Sequence, residues 1–121
     1  MGKLKVLVVE DHPDIQDTYR MSLEHLVDVV IAGSIASAMS ELRAEPNFSL
    51  IILDGNVPQH DAGPSDTTII LAEHISSLKI PMLSASGCEN LNNILVSKGC
   101  MRANKFTATQ EARRFLKEIA V

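Results

Sequence analysis

The sequence lacks the features that mark membrane-spanning and disulfide-rich secreted proteins. No apolar stretch approaches the roughly 20 residues that span a bilayer, so we expect no membrane segment. Its two cysteines, Cys88 and Cys100, form no CxxC pair, and we expect no secretory leader. Such cysteines indicate reduced thiols in a cytoplasmic protein.

A concentrated basic surface is also missing. The net charge is −4, and the basic residues are scattered along the chain. This distribution argues against direct binding to nucleic acid or to an anionic membrane. We find no internal repeat, low-complexity segment or linker. With 121 residues, of which 45% are hydrophobic, the chain has material for one core, and we predict a single domain over 1–121.

What the sequence does contain is a regular alternation of apolar runs and helical periodicity. The predicted strands are 5–9, 27–33, 49–54, 80–85 and 101–106. The predicted helices are 15–26, 35–43, 67–75, 86–98 and 108–120. Five strands alternating with five helices predict an α/β fold, doubly wound, with a five-stranded parallel sheet and helices on both faces.

Local signals refine some of these boundaries. Pro13 suits the first turn of the first helix. Ser86-x-x-Glu89 and Thr107-x-x-Gln110 match capping boxes for the last two helices. The polar stretch QHDAGPSD (59–66) predicts a loop that delays the third helix.

Polar side chains collect where the predicted strands end. Glu10 and Asp11 follow the first strand, Asp54 the third and Ser84 the fourth, while the fifth unit offers Lys105. Ligand sites in such sheets lie outside the carboxyl ends of the strands. Three carboxylates meeting there repel one another unless a cation compensates, and hard oxygen ligands favour Mg²⁺. The alternative is that these acids are solvated strand-end residues and helix caps.

These residues resemble the receiver domains of two-component response regulators. The resemblance covers essentially the whole chain and rests on VLVVED (6–11), the apolar strand into Asp54 with Pro58 four residues later, LSAS (83–86) and Lys105. It implies a flavodoxin-like sheet with strand order 2-1-3-4-5. It also implies a phosphoacceptor signalling domain rather than a turnover enzyme, capable at most of self-phosphorylation and autodephosphorylation.

The resemblance implies a role for each matching residue. Asp54 would accept a phosphoryl group from a histidine kinase or a histidine phosphotransfer protein. Asp11 and Asp54 would ligate Mg²⁺, with Glu10 acting through water or positioning Asp11, and with the backbone carbonyl of Asn56 as a further ligand. Three further residues complete the implied site. Ser84 would bond a phosphoryl oxygen, Lys105 would pair with it, and Ala85 would leave room for it.

The sequence departs from the family pattern at three places. Phe106 follows Lys105 where the family usually has proline, and Arg102 and Ala103 stand where an aromatic switch residue is usual. QHDAGPSD lengthens the loop after Asp54, either for recognition or as a tolerated insertion.

Ser86 matches a helix cap and also a position that influences phosphate lifetime. His12, His25 and His74 share neither the spacing nor the neighbours expected of a metal cluster, and His12 fits the first loop or the start of the first helix.

Three classes of function remain open on the sequence. The first is a phosphorylation-dependent interaction module that signals to an unknown downstream protein, either alone or as the receiver of a longer regulator. The second is a pseudo-receiver that binds a partner constitutively. The third is an aspartyl phosphatase, which would need a second acid where this chain has Asn56.

Overall fold

The computed structural model describes residues 4–120 and contains five helices and six strands in that range. The helices are α1 Pro13–Leu23, α2 Ile35–Ala44, α3 Ile69–Ser77, α4 Glu89–Ser97 and α5 Ala108–Ile119. The strands are β1 Lys5–Val9, β2 Asp28–Ala32, β3 Leu50–Leu53, β4 Asn56–Pro58, β5 Ser65–Thr67 and β6 Met82–Ser84. The predicted alternation of strands and helices is confirmed for most of the chain.

The central sheet is parallel and has the order β2-β1-β3-β6. Its two inner strands, β1 and β3, are buried over almost their whole length because helices cover both faces. Side chains of β3 alternate between two clusters: Ile51 and Leu53 pack with α2 and α3, whereas Leu50 and Ile52 pack with α1 and α5. The continuous apolar runs in the sequence therefore reflect burial on both faces.

The fifth predicted strand, 101–106, is reduced to a single parallel bridge between Met101 and Leu83. Two hydrogen bonds hold it there, from Ser84 N to Met101 O at 3.0 Å and from Met101 N to Met82 O at 2.8 Å. The segment is polar after Met101 and offers little apolar surface to hold a ladder. The fold class is confirmed, but the five-strand order 2-1-3-4-5 is not.

The predicted loop QHDAGPSD forms part of a short antiparallel hairpin, β4 with β5. Because Thr67 lies in β5, the third helix begins at Ile69 rather than at the predicted residue 67. Two contacts anchor the hairpin: Thr68 Oγ1 donates to Asp54 O at 2.6 Å, and Ala36 N of α2 donates to Gln59 O at 2.9 Å. The extension is an ordered element attached to the strand end that carries Asp54.

Both predicted capping boxes are wrong. Cys88 is the N-cap of α4, and Ser86 Oγ instead accepts a hydrogen bond from Cys88 N at 3.0 Å. Thr107 is the N-cap residue of α5, as predicted, but its side chain makes no capping hydrogen bond, and its Oγ1 accepts from Asn104 N at 3.1 Å. Side chains of this kind compete for nearby backbone groups, so the sequence pattern alone does not fix their partner.

The sequence also led us to expect reduced cysteines and no membrane segment. Both cysteines are free thiols, Cys88 exposed and Cys100 buried. Within residues 4–120, no helix has the length and apolar character needed to cross a membrane.

The turn that leads into the fifth segment depends on Gly99. Its φ is +112°, and an added Cβ would lie 3.1 Å from Ser76 Oγ. We therefore expect Gly99→Ala to lower the unfolding free energy by about 1–3 kcal/mol, because L side chains disfavour this backbone region. Urea denaturation measures the change.

Gly33→Ala is the matched control, since a Cβ there meets its nearest atom only at 3.7 Å. Equal stability of the Gly99→Ala variant and the unsubstituted chain would contradict the role given to Gly99.

Candidate functional site

Neighbouring parallel strands bring the acidic residues together at one edge of the sheet. Val9 of β1 pairs in register with Leu53 of β3, so Glu10 and Asp54 leave the sheet side by side. Asp54 N donates to Val9 O at 3.1 Å, and Glu10 N donates to Ala32 O at 3.0 Å. The backbone thus fixes both residues where the strands end, as the sequence predicted.

Four side chains form a compact acidic cluster there. One ligand atom from each of Glu10, Asp11, His12 and Asp54 lies within 4.8 Å of the others. His12 Nδ1 lies 2.7 Å from Glu10 Oε1 and 3.3 Å from Asp11 Oδ1. His12 is the N-cap residue of α1, as predicted, but the expectation that it has no neighbours suited to a metal cluster is wrong, although its position next to Glu10 and Asp11 was an available signal.

Burial and like charge shape the titration of this cluster. Burial, the neighbouring Glu10 and then Asp11 raise the pKa of Asp54 to about 7, against a smaller opposing effect of the Gly55 N–H, which donates to Asp54 Oδ1 at 2.7 Å. The hydrogen bond to Glu10 and the charge of Asp11 raise the pKa of His12. Protonated groups therefore offset part of the repulsion when no metal ion is bound.

The donor set fits a hard divalent cation. Asp11 Oδ1 is buried and accepts no hydrogen bond from any residue in the described part of the chain, although His12 Nδ1 lies at ion-pair distance, 3.3 Å away. A buried carboxylate oxygen in that state is costly, and a cation would compensate it. Carboxylate oxygens of Asp11 and Asp54 are therefore suited to hold Mg²⁺, with Glu10 adjacent.

The hairpin leaves the carbonyl of Asn56 available as a further ligand. Thr68 N donates to Gly55 O at 3.0 Å, which makes residues 55 and 68 a hydrogen-bonded pair. Antiparallel pairs alternate, so Asn56 and Thr67 form the next, non-bonded pair, and their peptide groups point away from each other.

A pocket of about 280 Å³ opens onto this cluster. Of the predicted site residues, Glu10, Asp54, Asn56, Ala85 and Lys105 line it. Lys105 reaches the pocket although Phe106 follows it. No carboxylate within residues 4–120 lies at ion-pair distance from the Lys105 ammonium, so its charge is available to a ligand.

Asp11 and Ser84 are the predicted site residues that do not line this pocket. Asp11 belongs to the acidic cluster beside it. Ser84 is the last residue of β6. It is fully buried, and its Oγ contacts the fifth segment: it donates to Ala103 O at 3.0 Å and accepts from Ala103 N at 3.1 Å. Its role toward a phosphoryl group stays a prediction.

Tyr19 and Ser65 are among the pocket residues that were not predicted from the sequence as ligand contacts. Tyr19, interpreted as a core position of α1, lines the pocket, and burial raises the pKa of its phenol, which is neutral near pH 7. Ser65 reaches the pocket from β5. The spacing of Tyr19 signalled only a buried helix face, and nothing in the sequence signalled the hairpin that carries Ser65.

The position expected to carry a switch aromatic lies outside the pocket. Arg102 is exposed and donates to Asn93 Oδ1 of α4 at 2.8 Å, whereas Ala103 is buried. Phe106 is 87% exposed beside a separate cavity of about 510 Å³ between α4, the fifth segment and α5. This edge of the molecule therefore differs from the pattern that the resemblance implies.

Comparison with known proteins assigns the fold. No family model matches the chain, and no curated protein matches its sequence. Among solved structures, a response regulator receiver domain from Methanospirillum hungatei is 19% identical, with a TM-score of 0.79 over 97% of this chain and 93% of that one. A receiver domain from Clostridium thermocellum is 16% identical, with a TM-score of 0.78 over 95% and 92%.

A third similar solved structure contains a modified aspartic acid and a metal ion. It is a response regulator from Burkholderia pseudomallei with a phosphorylated aspartic acid and a calcium ion, 18% identical, with a TM-score of 0.71 over 93% of this chain and 72% of that one. The fold and the acidic crevice define a doubly wound α/β domain. Within that class, the chain has the fold of response regulator receiver domains, and the predicted resemblance is confirmed at the level of the fold.

The raised pKa of Asp54 makes a prediction about stability. The folded state keeps a proton on Asp54 up to about pH 7, whereas the unfolded chain loses it near pH 4. Stability is therefore lost as the pH rises through this window when no divalent cation is present. We expect Asp54→Asn to gain about 1–3 kcal/mol relative to the unsubstituted chain between pH 4 and pH 8.

Denaturant unfolding of both proteins at the two pH values, in buffer that contains a metal chelator, measures the difference in unfolding free energy. Asp66→Asn removes an exposed carboxylate from the hairpin and should show no such gain. Parallel pH profiles for Asp54→Asn and the unsubstituted chain would contradict the assignment.

Proposed function

We propose that this chain is a phosphoacceptor receiver domain whose interaction with a partner protein depends on the phosphorylation of Asp54. The phosphodonor is a histidine kinase or a histidine phosphotransfer protein. The observation that carries the proposal is the position of Asp54: its carboxylate lies among Glu10, Asp11 and His12 and borders a pocket that Lys105 also lines.

The transfer itself needs an ionised carboxylate and neutralised phosphoryl oxygens. An oxygen of Asp54 attacks phosphorus, the P–N bond of the donor phosphohistidine breaks, and its electron pair stays on the imidazole nitrogen. The Gly55 N–H, 2.7 Å from Asp54 Oδ1, orients the carboxylate. Lys105 balances the charge of the incoming oxygens. A bound Mg²⁺ would supply further charge neutralisation, and Asp11, Asp54, Glu10 and the carbonyl of Asn56 are the residues that would hold it.

The resulting acyl phosphate adds negative charge beside groups that can move. Such charge attracts nearby donors and repels carboxylates. The loop after β6 lines the pocket at Ala85 and continues into α4, so its displacement would change the surface offered to a partner. The phosphorylated aspartic acid described in the similar Burkholderia structure supports the same chemistry here.

A constitutive pseudo-receiver is the second candidate function. Two observations favour it: the Ser84 hydroxyl is committed to the backbone of Ala103, and Arg102 rather than an aromatic residue occupies the switch position. In that case the acidic cluster would be retained, but Asp54 would not carry phosphate. We propose no separate enzymatic turnover and place the chain in the cytoplasm.

The two candidates differ in one direct measurement. After incubation with Mg²⁺ and acetyl phosphate, intact-mass spectrometry should show one added phosphate per chain, because the Asp54 carboxylate is oriented by the Gly55 N–H and borders the pocket that Lys105 also lines. Hydroxylamine should remove it, as expected of an acyl phosphate.

Asp54→Asn should carry no adduct, whereas Asp66→Asn, the exposed control, should be labelled as fully as the unsubstituted chain. Labelling that persists in Asp54→Asn would move the acceptor elsewhere. Absence of labelling in the folded, unsubstituted chain would favour the pseudo-receiver.

A further inference from the structure

Tyr19 is the single tyrosine of the chain, and its ring and its hydroxyl have different surroundings. The side chain is 4% exposed and packs in the apolar cluster between the sheet, α1 and α5. Within residues 4–120, its hydroxyl neither donates nor accepts a hydrogen bond. Buried tyrosines usually pair this group, and phenylalanine would fill the same core without it. The hydroxyl of Tyr19 therefore needs an explanation other than packing.

The position of Tyr19 on α1 directs its hydroxyl to the pocket at the acidic cluster. Long helical side chains lean toward the N-terminus of their helix, and α1 begins directly after His12 of the cluster. Ile15, one turn before Tyr19, lines the pocket. Tyr19 lines it too, together with Asp54 and Lys105. The side chain therefore extends from the core to the pocket, and its polar end is the part suited to a ligand.

The core and the pocket are continuous at Ala85. This residue belongs both to the apolar cluster around Tyr19 and to the lining of the pocket. Because interiors are close-packed, a larger side chain at this position would occupy space that one methyl group leaves open. A ligand on Asp54 and the phenol of Tyr19 therefore share one space.

The phenol keeps its proton at neutral pH in these surroundings. Burial, and then the negative charges of Glu10 and Asp54, raise its pKa. Ionised Glu10 and Asp54 offer only acceptors, so a phosphoryl group in the pocket needs donors from other residues. A protonated phenol supplies one such donor without adding charge of its own.

We infer that the Tyr19 hydroxyl donates a hydrogen bond to a phosphoryl oxygen on Asp54, which makes α1 part of the phosphate-binding site. This inference rests on the proposed function and adds a donor to it, and it leaves the roles predicted for Ser84 and Lys105 unchanged. A hydrogen bond to a charged oxygen is stronger than a neutral one. Tyr19 gives up no hydrogen bond to the described residues when it forms this one.

Binding of beryllium fluoride in saturating Mg²⁺ tests the inference, because this anion occupies the position of a phosphoryl group on a carboxylate. Bound fluoride is counted by ¹⁹F NMR as its concentration is raised. We expect Tyr19→Phe to weaken binding about tenfold, the loss that corresponds to one charge-assisted hydrogen bond. The affinity for Mg²⁺ without fluoride should stay within about twofold, because the phenol is not a metal ligand. The variant keeps the ring and should melt no lower than the unsubstituted chain.

Thr18→Val is the matched control on the same helix. Thr18 is exposed outside the pocket, and its Oγ1 donates to Asp14 O at 3.0 Å. This variant also loses a hydroxyl from α1, but it should bind beryllium fluoride as tightly as the unsubstituted chain. An equal loss of binding in Thr18→Val and Tyr19→Phe would assign the effect to the helix and overturn the inference.

The single tyrosine also gives a direct spectroscopic signal. In protein labelled with ¹³C at the tyrosine ζ carbon, the resonance should move when beryllium fluoride binds, because a hydrogen bond from the hydroxyl changes the electron density at this carbon. Asp54→Asn should show no such movement.

The outcomes separate the inference from the proposed function. Equal binding of beryllium fluoride by Tyr19→Phe and the unsubstituted chain, or a ζ-carbon resonance that does not move on binding, would overturn the inference and leave the proposed function intact. An equal loss of Mg²⁺ affinity in Tyr19→Phe would assign the phenol to the cation and also overturn the inference. No binding by the unsubstituted chain, or equal binding by Asp54→Asn, would overturn the proposed function and the inference with it.

Discussion

Repulsion among Glu10, Asp11 and Asp54 is the constraint on which the site depends. The register of β1 with β3 brings these carboxylates together, because Glu10 and Asp54 each follow directly from a buried, hydrogen-bonded strand and Asp11 is the next residue after Glu10. Their charge must be offset locally, by a proton, by His12 or by a cation. Asp11 Oδ1, which has His12 Nδ1 at 3.3 Å but accepts no hydrogen bond within residues 4–120, leaves room for a cation to complete this compensation.

Hydrogen bonds connect the site to α4 and to the fifth segment, so a change of charge at the acidic cluster can affect that edge of the molecule. Under the proposed function, a phosphoryl group on Asp54 would add charge to the pocket that Ser86 also lines, and the backbone of Ser86 is hydrogen-bonded both to Asn92 of α4 and to Lys105. The fifth segment is held to β6 by one bridge and by the Ser84 hydroxyl rather than by a full ladder. An element with so few contacts changes position at low cost, so the edge formed by α4 and the fifth segment is where we expect a partner to detect the modification.

The inner strands and the proximity of Glu10, Asp11 and Asp54 could be predicted from the sequence, because both follow from the order of apolar runs along the chain. Runs of apolar residues identify strands buried on both faces, and parallel strands necessarily end at one edge. His12 could not be placed in this way, since its contact with Glu10 depends on a turn geometry that periodicity does not encode. Ser84 and Ser86 were likewise ambiguous, because β6 ends at Ser84 and the two-residue alternation stops there. The hairpin was missed because its residues are polar and its turn places Ala62 at φ +63°.

Isothermal titration of Mg²⁺ at pH 7.5 tests the central claim most directly, with Asp11→Asn as the comparison. The account predicts one Mg²⁺ per chain and an affinity at least about tenfold weaker in the variant, because one anionic ligand is lost. Absence of binding, or equal affinity in the two proteins, would contradict the claim that the carboxylate cluster is built to be completed by a cation.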